Sequence, residues 1–123
     1  NNAGPATNDV SIRDTLAATF AYQTGTIKTD NSVNTCASAN CTAAEESSIY
    51  TAVNATAAKT DAVDGDVASR SGSNIDVGNQ NVANAQLNIA ANKVFALLFT
   101  VKMQGEEVIG TAEIGGRTKS GLK

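Results

Sequence analysis

Histidine and tryptophan are absent from this chain of 123 residues, and it holds one proline, two cysteines, two tyrosines and three phenylalanines. Each shortage excludes something. Without histidine the commonest general base is missing, and a nucleophilic triad of the usual kind cannot be built. Paired carboxylates could still act as they do in glycosidases, but such sites usually sit in aromatic-lined sugar clefts, and the chain has few aromatics to line one. The chain is therefore expected not to be an enzyme and to need no cofactor. A zinc site would want ligands beyond Cys36 and Cys41, and there is neither a histidine nor a third cysteine. The glycines of 110–116 do not form a GxGxxG loop that follows a strand and opens a helix.

Other partner classes fall away with the charge pattern. Net charge is −3 and the nine basic residues are scattered, so the basic patch with interleaved aromatics that marks a nucleic-acid surface is missing. There is no apolar run near the ~20 residues of a membrane-spanning helix, and no basic amphipathic helix for a membrane surface. Membrane insertion and nucleic-acid binding are not expected; a small-molecule ligand stays open. The first residue, Asn1, is not methionine, which leaves a removed leader or a trimmed terminus as alternatives.

Large apolar residues are scarce and unevenly spread. Leu, Ile, Val and Phe number 25, and 14 of them lie between Ile75 and Ile114. That total sits near the threshold at which a chain cannot bury enough apolar surface alone, so stability is expected to draw on a crosslink, a partner subunit or both. One domain over 1–123 is expected, with 1–7 and 117–123 as flexible or docking tails.

The densest apolar stretch is VFALLFTV at 94–101. It reads as a strand buried on both faces. Alternation places Phe95, Leu97, Phe99, Val101 and Met103 on one side and Val94, Ala96, Leu98 and Thr100 on the other. A turn, Gln104-Gly105-Glu106-Glu107, leads to a second β-leaning run at 108–114, completing a hairpin over 93–116. Val94, Phe95, Leu97, Leu98, Phe99 and Val101 are the expected assembly core. Upstream, 8–23 fits helix or strand. Its β-favouring residues tip the reading to strand, with Val10, Ile12, Leu16, Phe20 and Tyr22 as a segment lent to the chain's own fold or to a neighbour's.

The clearest helix signal follows the cysteines. Thr42 with Glu45 three residues on makes a capping box, and Ile49, Val53 and Ala57 form a narrow apolar stripe. An alanine-rich helix is predicted over 43–59, with Glu45 and Glu46 at its start and Lys59 near its end to suit the dipole. Residues 74–92 alternate for most of their length and predict a long strand with a break at 78–81. Its polar face carries an amide row, Asn84, Gln86, Asn88 and Asn92, either an ordinary wet face or a ladder for fibre assembly. The class expected is α+β, β-dominated, an antiparallel sheet or sandwich built on the C-terminal hairpin.

Smaller features complete the picture. Cys36 and Cys41 have the spacing of a tight local disulfide, which implies an oxidising compartment. Asn40 and Asn54 each open an N-x-Thr tripeptide of the glycosylation pattern. Asp61, Asp64 and Asp66 offer hard oxygen ligands for calcium but lack the alternate positions and closing glutamate of the helix–loop–helix motif; an acidic solvated turn is the simpler reading. The Asn-, Ala-, Gly- and Thr-rich, aromatic-poor composition resembles that of bacterial surface fibre subunits, pilins and matrix fibres among them. That likeness is one of composition and covers no motif. With the apolar hairpin and the missing site chemistry, it implies a secreted structural subunit of an extracellular filament or surface layer, a homo-oligomer or polymer. A monomeric binding module, such as an adhesin fragment or a virion decoration protein, is the alternative.

Overall fold

The stretch NIDVG alternates apolar and polar residues, yet it becomes the most enclosed strand of the molecule. The computed structural model describes residues 1–104. They form β1 (Thr7–Thr15), β2 (Phe20–Tyr22), β3 (Lys28–Asp30), α1 (Ala43–Asn54), β4 (Ala68–Ser71), β5 (Asn74–Gly78), β6 (Leu87–Ile89), β7 (Ala96–Leu98) and β8 (Val101–Met103). The class is α+β and strand-dominated, with every strand pairing antiparallel. A four-stranded sheet runs β4-β5-β1-β6. In β5, Ile75 and Val77 are fully buried and Asp76 is 2% exposed, so both faces are covered. Ile75 and Val77 join Ile27, Ala68 and Leu87 in the core, with Val10, Ile12, Tyr22, Phe95, Leu97 and Phe99 packed around them.

The first strand is interior. β1 pairs with β5 from Ser11↔Gly78 to Thr15↔Asn74 and with β6 through Thr7↔Ile89 and Val10↔Leu87. Between those last two pairs β1 carries two residues against one on β6, a β-bulge. Asp9 occupies it in the left-handed region, φ 59°, and its N–H donates to Asn88 Oδ1 at 2.9 Å. The bulge presses the β1 backbone against Gly78. A Cβ there would lie 2.1 Å from the Val10 carbonyl oxygen, and Gly78 itself sits at φ +64°. Glycine is required on both counts. The N-terminal segment is thus used inside its own chain. Asn1 and Asn2 are also held, Asn1 through Ser38 and Cys36 and Asn2 by a bridge to Lys93.

The apolar run 94–101 departs from the expected single strand. It divides into β7 and β8 at Phe99 and Thr100, and only Val94 is buried; Phe95 to Phe99 and Val101 are half-buried. The cause is its partner. β8 pairs with β2 (Tyr22↔Val101) and β7 with β3 (Lys28↔Leu98), so five residues, 23–27, oppose two, 99–100. The five turn out through Gly25 at φ 73°. Thr26 stitches the gap: its Oγ1 donates to the Gln23 carbonyl at 2.7 Å and accepts from Thr100 N–H at 3.0 Å. The result is an interrupted two-stranded ribbon. The expected second arm of the hairpin, 108–114, and the tail 117–123 lie outside the described residues.

One side of the ribbon, with Phe95, Leu97 and Phe99, meets the four-stranded sheet. The helix covers the other, where α1 contacts β7 and β3. The capping box is formed: Glu45 N–H donates to Thr42 Oγ1 at 3.2 Å and Thr42 N–H to Glu45 Oε1 at 3.0 Å. The helix ends five residues before the expected Lys59, at Asn54. Past that point the backbone turns to the ribbon, with Lys59 N–H donating to the Ile27 carbonyl at 2.7 Å. Lys28 supplies the cation at the helix C-terminus instead, its Nζ donating to the Asn54 carbonyl at 2.7 Å. Within α1 only Val53 is buried.

Gly78→Ala is expected to destabilise the chain by about 2–4 kcal/mol, from backbone collision and left-handed strain together. Urea unfolding of the parent and the variant measures it.

Candidate functional site

The ribbon and its two covers hold most of the residues that the sequence marks as an assembly core. Four successive residues, Phe95, Ala96, Leu97 and Leu98, line a groove of about 370 Å³ together with Glu46, Ile49, Tyr50 and Val53 of α1. Alternation would give a strand's face every second residue only. A groove lined by consecutive residues therefore follows the margin of β7. Among the described residues that margin is unpaired, since β3–β7 and β2–β8 are both two-stranded. Tyr50, on the groove wall, is 55% exposed, and at the far end of the ribbon Phe20 and Met103, cross-strand partners, are 39% and 70% exposed.

The segment Val10, Ile12, Leu16, Phe20 and Tyr22 is spread over two layers. Val10 and Ile12 pack on the core from β1, Tyr22 does so from the ribbon, Leu16 is half-buried and Phe20 is exposed. Tyr22 is the hub among them. Its hydroxyl donates to Asp61 Oδ1 at 2.6 Å and accepts from Thr26 N–H. Arg70 lies over its ring at 4.7 Å, and Phe99 packs at 6.3 Å between ring centroids. Burial, with the Asp61 hydrogen bond next, raises the phenol's pKa above its ordinary value. Aspartate 61 is thereby a tether between the 61–66 turn and the ribbon.

The other aspartates of that turn face elsewhere. Asp64 accepts from the Thr60 hydroxyl, which with smaller contributions lowers its pKa, and Asp66 Oδ1 accepts from Ala68 N–H at 2.9 Å. Each of the three carboxylates is taken up by its own donors, and among the described residues they do not gather as a cation site.

The amide row does not assemble as a row. Only Asn88 lies within a strand, β6. Asn84 is buried, with Nδ2 donating to the Asp76 carbonyl at 3.3 Å and Oδ1 without a protein partner among the described residues. Gln86 and Asn92 are exposed, and Asn92 is left-handed at φ 58°. Local asparagine bonding explains the loss of the strand. Asn81 N–H donates to the Gly78 carbonyl, Asn84 N–H to the Asn81 carbonyl, and Ala83 N–H to Asn81 Oδ1. Such turns compete with a ladder. Gln86 and Asn88 do share a polar cleft of about 290 Å³ with Thr29, Asp30, Asn31 and Phe95.

Sequence reasoning missed one pair. Arg13 Nε and Nη2 donate to the two oxygens of Asp76 at 2.7 and 2.9 Å. Asp76 is 2% exposed and the Arg13 side chain 42%. The Asp76 hydrogen bond raises the arginine's pKa further. Their positions opposite each other on β1 and β5 were the signal, hidden until the pairing is known.

Cys36 and Cys41 form a disulfide, compatible with an oxidising compartment. The Glu45 carboxylate lies within 4.8 Å of the sulfurs and accepts from Ala37 N–H at 3.3 Å; bonded to each other, the sulfurs offer no thiolate to a metal. The side chains of Asn40 and Asn54 are exposed. Among the described residues no helix is long and apolar enough to cross a membrane. No family model, curated protein or solved structure matches the chain.

A phenol held protonated by the fold supports stability fully below the ordinary tyrosine value of 10.0 and loses that support as pH rises through the raised one. The urea midpoint is expected to fall on titration above that value, and Tyr22→Phe should flatten the fall while lowering the midpoint at neutral pH. Reduction of Cys36–Cys41 closes no new contact but frees a short loop, and is expected to cost about 2 kcal/mol by loop entropy; unfolding with and without reductant, with mass after alkylation as the check, measures it.

Proposed function

We infer that the chain is a structural subunit of an extracellular filament or surface layer, pilus- or fimbria-like or of the matrix-fibre kind. It assembles by β-strand packing between copies and has no catalytic role. One observation carries the reading: the hydrophobic ribbon stays half-exposed after its own sheet and helix have packed on it, and the margin of β7 is unpaired among the described residues. An open strand margin is a template for another strand. A run of partly exposed Phe, Leu and Val beside a groove is the kind of surface that marks an interface. The disulfide supports an extracellular setting, and the fibre-like composition agrees with it.

A second reading, a monomeric extracellular binding module such as an adhesin fragment or virion decoration protein, is favoured by the polar cleft between Asp30, Asn31, Gln86 and Asn88. Amides and a carboxylate in a cleft that Phe95 also lines suit a hydroxyl-rich ligand.

Light scattering and negative-stain microscopy over a micromolar dilution series separate the two. The filament reading expects mass to rise with concentration and elongated particles on the grid. A constant monomer mass throughout overturns it.

A further inference from the structure

We propose that the groove between α1 and the margin of β7 is a strand-acceptor site, and that its occupant is segment 108–114 of a second copy of this chain. The inference rests on the filament reading and names its contact.

The acceptor is defined by geometry. Phe95, Ala96, Leu97 and Leu98 present a margin that is unpaired among the described residues, and Ile49, Tyr50 and Val53 form an apolar wall beside it. A strand laid along this margin gains backbone hydrogen bonds from β7 and buries every second side chain against α1. The N-terminal strand does not meet this need, because β1 is already hydrogen-bonded on both sides, to β5 and to β6. The remaining segment with strand character is VIGTAEI at 108–114, which has alternating positions Val108, Gly110, Ala112 and Ile114.

Its own chain is the poorer recipient. The link from β8 is the four residues Gln104, Gly105, Glu106 and Glu107, a hairpin length that pins register. Met103 would face Val108, and counting on, Leu98 would face Glu113. That register carries a carboxylate into an apolar groove that Glu46 also lines, with desolvation and like-charge repulsion both against it. A segment arriving from another copy is free of the link. It can shift by one residue, turn Val108, Ala112 and Ile114 toward Ile49 and Val53, and leave Glu113 on the opposite side from Glu46. Each copy then offers one groove and one segment, a head-to-tail arrangement that propagates.

Complementation between two full-length variants tests this. Leu98→Lys spoils the groove and keeps the segment; Ile114→Lys spoils the segment and keeps the groove. Each alone is expected to need at least about tenfold more protein to assemble, the scale of a lost interface anchor. Mixed in equal amounts at a concentration where each is monomeric, they are expected to form a heterodimer that grows no further. Sedimentation velocity reads both results, and far-ultraviolet circular dichroism confirms that each variant is folded. Tyr50→Lys, at an exposed position on the same wall, replaces Leu98→Lys if that variant does not fold. A mixture that stays monomeric, or either variant assembling like the parent, overturns the acceptor site. If the parent polymerises while the mixture stays monomeric, the filament reading stands and this contact falls. If the parent never polymerises, both fall.

Discussion

The strand that must be covered on two faces with opposite chemistry is β5, and the rest of the fold follows from how that is done. Ile75 and Val77 demand an apolar layer, and the ribbon supplies it with Ile27, Phe95 and Leu97. Asp76, one position between them, demands a cation and hydrogen bonds in a place almost closed to water. Burying a lone carboxylate would be prohibitive. Arg13 answers with a two-pronged contact from β1, reaching in from a partly exposed position, so its own desolvation is modest. The order β4-β5-β1-β6 therefore places an N-terminal strand where both β5 and β6 need one.

With the sheet satisfied, the ribbon becomes the middle layer and carries the weakness of the design. Its sheet-facing side meets a full core. Among the described residues its other side meets one short helix whose stripe reduces to Ile49 and Val53. The scarcity of large apolar residues in the first half of the chain is felt here and not in the sheet. Anchors around the layer are polar and local instead. Lys28 closes the end of α1, Asp61 holds Tyr22, and the disulfide with Glu45 fixes the helix entry. Such contacts fix geometry at modest net energy each, and they do not shield hydrocarbon. A middle layer dry on one side and damp on the other is the physical basis for reading the molecule as a building block.

Much of the helix corner was legible in advance, because its determinants are neighbours in sequence. Thr42 and Glu45 cap each other across three residues, and Cys36 and Cys41 close a loop of their own. The strand tendency of 8–23 was legible too, by a narrow margin over helix, from β-favouring residues such as Thr15, Thr19, Phe20 and Tyr22, and the chain there divides into β1 and β2. The turn residues, by contrast, competed with the strand pattern and won. Asn81 diverted the chain by bonding to its own neighbours, and the apparent amide row dissolved into a buried Asn84, a strand residue Asn88 and a left-handed Asn92. Lys59 was a reasonable helix-end cation by spacing, but a lysine from β3 took the place because the ribbon brought it closer.

Composition, capping chemistry and alternation by themselves determined the antiparallel α+β class, the helix start at Ala43, the local disulfide and the poverty of catalytic groups. Only the tertiary structure decided that β5 rather than 94–101 is enclosed on both faces, that 94–101 pairs with 20–34 and breaks opposite Gly25, and that Arg13 meets Asp76. The reason is that alternation tells which side of a strand a residue takes, while the identity of the neighbouring strand depends on contacts between residues some 60 to 80 positions apart, as in Arg13–Asp76 and Asp9–Asn88, which no local pattern encodes.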